Sequence, residues 1–195
     1  ELRLKEEKLW SPELWPQRAP DGWATVPLAK LGVWGSGGTP TKHRNDYYGG
    51  TIPWLVIGDL NYGIVTEAAT HITELGLSES SAKLVPEGSV LTAMYGASVG
   101  KAAITGIECT TNQAIAHCVP DLDLVSASYL FLLVRAMQDD LITQAKGMAQ
   151  PNISQTILRH LLVALPPTTE QDWIVARVNE LMDLCEQLEA RLVER

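Results

Sequence analysis

Apolar side chains recur at Ile174, Val178, Leu181, Cys185, Leu188 and Leu192, a 4-3-4-3-4 spacing. That spacing is the a/d seam of a coiled coil, and it predicts a long helix with one face built to meet another helix. Pro166 and Pro167 close off the chain before it, and Thr168 with Gln171 has the spacing of a capping box that starts the helix near Thr168. From there to Arg195 such a helix runs about 40 Å at ~1.5 Å per residue. Glu180, Asp183, Glu186 and Glu189 line its outer face. A partner helix is the favoured destination for the seam; the alternative is an amphipathic helix folded back on its own domain.

Between residues 24 and 165 the pattern changes to short β segments punctuated by glycine and proline. The expected strands are Val26 to Leu31, Ile52 to Ile57, Ser89 to Met94, Lys101 to Thr105, Thr111 to Val119 and Leu161 to Leu165. Helices are expected from Ser126 to Ala136 behind a Ser126 cap, from Asp139 to Lys146, and briefly after Asn152. This order predicts an α+β fold: an irregular, mostly antiparallel sheet with short helices, followed by the long C-terminal coiled-coil helix.

The net charge is -8, which argues at first against nucleic acid. Residues 161 to 195, however, hold seven acidic residues against three basic ones, so half of the excess lies in the last sixth of the chain. No apolar run approaches the ~18 residues of a membrane span, and the amino terminus lacks the pattern of a signal peptide. The sequence therefore reads as soluble and cytoplasmic, with no membrane partner. Cys109, Cys118 and Cys185 are odd in number and widely spaced, which indicates neither a disulfide framework nor a zinc cluster. A chain that starts at Glu1 and stops at Arg195 inside a helical pattern reads as a piece of something longer.

MYGASVGK, residues 94 to 101, has the look of a phosphate-binding loop, yet only Ala97, Ser98 and Val99 separate Gly96 from Gly100. Ala102 stands where the loop needs a metal-binding hydroxyl, so a nucleotide site is excluded. His43, His71, His117 and His160 show no metal-ligand spacing. His117 and Cys118 are neighbours on an expected strand and should point to opposite faces, one of them to the core. Asp121 with Asp123, and Asp139 with Asp140, sit at loops or helix starts where acidic residues cap. No catalytic residue is assigned.

Binding chemistry is better represented. SGGTPTKHRNDYYGGTIPW, residues 36 to 54, surrounds Thr41, Lys42, His43, Arg44 and Tyr47 with glycines and prolines. Side chains of this kind grip phosphates or read base edges. The other reading is a solvated loop with its tyrosines packed underneath, and both stay open.

The order SGGTP, YYGGTIPWL with Asp59 following, SSAKLVPEGSVLTAMYGASVGKAAI, TNQAIA, GMAQPNIS and LPPTTEQDWIVARVNELMDLCEQLE strongly resembles the specificity subunit of type I restriction-modification enzymes, over residues 22 to 195. The resemblance implies a non-catalytic, sequence-specific DNA-binding chain with one target recognition domain, residues 22–166. One conserved spacer helix follows over 167–195, and 1–21 is a linker or helix end. It implies double-stranded DNA, modification (methyltransferase) subunits and restriction subunits as partners. S-adenosylmethionine, ATP and magnesium would sit on those subunits and no cofactor in this chain. A second recognition domain or a self-dimer would meet the C-terminal helix. In the resembled domain MYGASVGKAAI is a strand, a tight glycine loop and a second strand, from which Tyr95, Ser98 and Lys101 would face DNA unless Tyr95 is core. Asn112 and Gln113 are read as structural. The function class set against this one is a protein-binding adaptor using the coiled-coil helix without DNA contact. The DNA sequence recognised is not legible, nor is whether the chain is a fragment or a natural half-subunit.

Overall fold

A computed structural model describes residues 19–146 and 152–193. Most of the 1–21 segment and Gly147 to Pro151 of the GMAQPNIS motif lie outside the described residues. Among the described residues ten strands form three sheets. A two-stranded sheet pairs β1 (Ala24–Pro27) with β10 (Leu162–Leu165). The central sheet has the order β2 (Gly32–Ser36), β9 (Ile115–Pro120), β6 (Val90–Ala93), β7 (Ala102–Thr105) and β4 (Ile64–Val65). The third runs β5 (His71–Ile72), β3 (Tyr48–Leu55), β8 (Thr110–Thr111). All pairings are antiparallel except β3 with β8 and β4 with β7. The helices are α1 (Glu74–Ser78), α2 (Ala127–Ala136), α3 (Gln138–Lys146), α4 (Gln155–His160) and α5 (Thr168–Val193). The architecture is the expected α+β one.

Burial explains the central sheet. Val90, Ala102, Ala116 and Cys118 enter one apolar cluster with Leu130, Val134 and Met137 of the α2 region. Their strand neighbours Leu91, Ala103 and Ile115 enter a second cluster with Leu55, Leu60 and Val65. Alternate side chains of a strand face opposite sides, so a sheet covered on both sides reads as continuous hydrophobic sequence. The same cover corrects the expectation for His117 and Cys118: they do point apart, but both are buried.

The first strand also differs from expectation. It ends at Pro27, and Leu28–Lys30 form a 3-10 turn. A strand through Leu31 would place Leu28 and Leu31 on opposite faces, whereas the turn puts both in the core. Strand β2 was not expected, because glycine at two of its five positions weakens β propensity. The glycines serve close approach: a Cβ at Gly35 would lie 2.3 Å from His117 Nε2 on the paired strand.

The Ser126 cap forms as expected, and Ser154 caps the helix after Asn152. Ser126 Oγ accepts the Tyr129 backbone N–H at 3.1 Å, and Ser154 Oγ accepts that of Ile157 at 3.2 Å. Helix α5 starts at Thr168 as expected, but Gln171 does not close a capping box. Its side chain is buried and bonded to Leu124, Ser126 and Pro166.

Candidate nucleic-acid interface

Sheet register gathers the sequence-selected loops. Strands β2 and β6 end, and β9, β7 and β4 begin, on the same side of the central sheet. That end carries the loop from Gly37 to Tyr47, the Met94 to Lys101 loop, Asn112 to Ala114, and the Asn61 to Gly63 turn. Asn152 joins it through a bridge to Tyr95, and Ile153 donates its backbone N–H to Met94 O at 2.8 Å. The opposite end, where Gly32 meets Pro120, leads into Leu124, Ser126 and the root of α5.

MYGASVGKAAI forms the glycine loop between β6, which already ends at Ala93 rather than within the stretch as expected, and β7, which takes up its last three residues. Gly96 and Gly100 take φ of 67° and 78°, and the Lys101 backbone N–H closes on Ser98 O at 2.8 Å. Tyr95 is 42% exposed, so it is not core, while Ser98 and Lys101 are half-buried.

The basic loop divides into two parts. Thr41, Lys42 and His43 are exposed, and among the described residues Lys42 and His43 form no ion pair. Arg44 is held in place. It donates to both carboxylate oxygens of Asp46, at 2.9 and 2.7 Å, lies 3.9 Å from Glu79, and stacks 4.5 Å from the Tyr47 ring centre. The hydrogen bond from Arg44 holds the Asp46 carboxyl below the usual carboxylate range. Tyr47 is only 4% exposed and donates its hydroxyl to Glu79, and Tyr48 donates to Pro40 O at 2.7 Å. The tyrosines are thus packed under the loop, with Thr41 to His43 presented above them.

Asn112 and Gln113 take structural bonds, with Ala114 N–H donating to Asn112 Oδ1 at 3.1 Å and the Thr39 hydroxyl donating to Gln113 Oε1. Tyr62 and Arg135 join this end without having been selected from sequence. The Tyr62 ring centre lies 5.7 Å from Lys101 Nζ and 5.4 Å from the Arg135 guanidinium. The available signal was Asn-Tyr-Gly, an aromatic between two turn residues with no apolar neighbour to pack on.

At the far end, α5 is a 26-residue helix. Ile174 and Val175 pack on the core and Val178 is half-buried. Leu181, Cys185, Leu188 and Leu192 are exposed, the three leucines by 46%, 58% and 71%. Folding back on the domain therefore holds only for the first turns of the helix.

The sequence profile of the type I restriction modification DNA specificity domain matches residues 20–194. The chain belongs to that family. This specificity domain is 28% identical over 174 residues to the type I restriction enzyme MjaIX specificity subunit of Methanocaldococcus jannaschii, covering 87% of this chain and 40% of the relative. To the EcoR124I/EcoR124II specificity subunit of Escherichia coli it is 26% identical over 178 residues, covering 88% and 42%. Its fold is that of the HsdS subunit from Thermoanaerobacter tengcongensis, with a TM-score of 0.70 at 22% identity, covering 97% of this chain and 45% of that one. The specificity domain thus spans less than half the length of these relatives. Among its described residues no group of three His, Cys, Asp or Glu could hold a metal ion, and no helix is long and apolar enough to cross a membrane. Its two buried thiols, Cys109 and Cys118, are pushed up to about 12 by burial, so they stay protonated and inert.

Proposed function

We propose that this domain binds duplex DNA through the loop end of its central sheet and reads one half of a split target. The observation that carries the reading is the convergence, at the end opposite the α5 root, of Lys42, Lys101 and Arg135, none of them ion-paired among the described residues. Uncompensated cations on an acidic chain are a local attraction for phosphate. Thr41, Lys42, His43, Tyr95 and Ser98 contribute exposed or half-exposed groups to that surface, and Arg44 and Tyr47 hold its shape.

In this reading residues 22–166 recognise DNA and the 167–195 helix is the spacer. The open seam of α5 supports docking of a second recognition domain or a second copy, and of modification and restriction subunits. The domain takes no chemical step itself; S-adenosylmethionine, ATP and magnesium enter with those partners. A protein adaptor without DNA contact leaves the unpaired cations at the far end without a role.

Fluorescence anisotropy against duplex DNA tests the reading. An acidic domain with one half-site should bind with Kd of about 10⁻⁴ to 10⁻⁶ M and with a clear salt dependence. No binding at low salt, for any duplex including one carrying a site found by methylome sequencing, would overturn it.

A further inference from the structure

We propose that Tyr62, Lys101 and Arg135 form a seat for a DNA backbone phosphate, with Tyr62 as the residue that positions the two cations. The inference rests on the DNA-binding reading and names a contact within it. Tyr62 lies in the Asn61-Tyr62-Gly63 turn and has φ of 61°, the left-handed region that a bulky side chain rarely adopts. Among the described residues no other non-glycine residue has positive φ. Such an outlier persists where its surroundings hold it, and it is a pointer to function.

The surroundings here are specific. Asn61 Oδ1 accepts the Gly63 backbone N–H at 3.0 Å and fixes the turn. Gln138 Nε2 donates to the Tyr62 hydroxyl at 3.1 Å and tethers the ring to the start of α3. The parallel pairing of β4 with β7 brings the turn beside Lys101, and the end of α2 delivers Arg135. Ring and cations meet at 5.7 and 5.4 Å, within cation–π range. Asp139 and Asp140 follow Gln138 in the chain, yet neither forms an ion pair with these cations. Two like charges held near one ring repel each other, and an anion that contacts both relieves that repulsion. Tyr62 stays 40% exposed, so the seat is open to a large ligand. Arg44 makes the contrast, because Asp46 already occupies its fork.

The test measures affinity and salt dependence of the whole chain on a mixed-sequence DNA duplex, since phosphate contacts need no particular site. Lys101→Ala and Arg135→Ala should each weaken binding about tenfold and lower the salt slope by about 1. Tyr62→Gly accepts the backbone conformation and keeps both charges, so it should weaken binding while leaving the salt slope and the unfolding midpoint in place. Arg177→Ala, an equal charge change on α5, should leave both affinity and slope as they are. Inorganic phosphate at matched ionic strength should not displace the duplex; displacement would make this a site for a free anion and overturn the proposal. Variants at Lys101 and Arg135 that keep the wild-type slope would also overturn it, leaving the DNA reading intact. A wild-type chain that binds no duplex would remove both.

Discussion

Gln171, in the first turn of the long helix, accepts the backbone N–H of Ser126 at 3.3 Å across 45 residues of sequence. Its amide nitrogen donates to Leu124 O at 2.9 Å and Pro166 O at 3.0 Å. One buried side chain thus satisfies three backbone groups and sets where α5 leaves the domain.

Replacing Gln171 by Ala should cost about 1–3 kcal/mol, because it strands buried polar groups rather than merely removing a contact. Denaturant unfolding of the two proteins at equal concentration measures the difference. An unchanged midpoint would show that the root of the helix is held by Ile174 and Val175 alone.

Gly35→Ala should destabilise by about 1–3 kcal/mol through overpacking, since the new methyl would overlap the His117 ring. Combining it with His117→Ala should cost less than the sum of the two changes, because the smaller partner makes room. Strict additivity in chemical unfolding would show that the glycine is needed for another reason.

Stability should fall as the solution is acidified. Burial, reinforced by the charge of Lys83, holds His117 below its ordinary value of 6.5, so the folded state resists a proton that the unfolded chain accepts. The sign follows from linkage: the contribution is complete above 6.5 and is lost as pH falls through the lowered folded value. Asp46 adds a second loss further down, present above the ordinary carboxylate value and lost through its own lowered one. Thermal melts across this range on the wild type and on His117→Asn should converge in acid; a pH-independent difference would assign the effect elsewhere.

Leu181→Asp combined with Leu188→Asp should leave a folded monomer, since neither side chain is covered by the domain. The wild type should form a concentration-dependent dimer through the seam, most simply an antiparallel symmetric one with its recognition domains at opposite ends. Sedimentation equilibrium on both proteins decides the matter. A wild type that stays monomeric at high concentration would remove the self-dimer from the proposed function.

The exposed apolar seam of α5, the Ser126 cap and the glycine loop after Met94 were legible in sequence, because each depends on residues a few positions apart. Loop 36 to 54 was legible as a special segment, but not the burial of Tyr47 beneath it, since Glu79, which accepts its hydroxyl, arrives from a distant part of the chain. Gln171 shows the limit most directly. Its spacing from Thr168 fits a local cap, whereas its partners Leu124 and Ser126 outbid that cap once α2 and α5 are packed together. The sequence by itself determined that a β-rich domain precedes a helix with an open apolar seam. Only the tertiary structure decided that Tyr62, Lys101 and Arg135 meet, because one arrives on a turn, one on the loop before β7 and one on a helix. Contacts between such elements are set by register and packing over long separations, which no local pattern encodes.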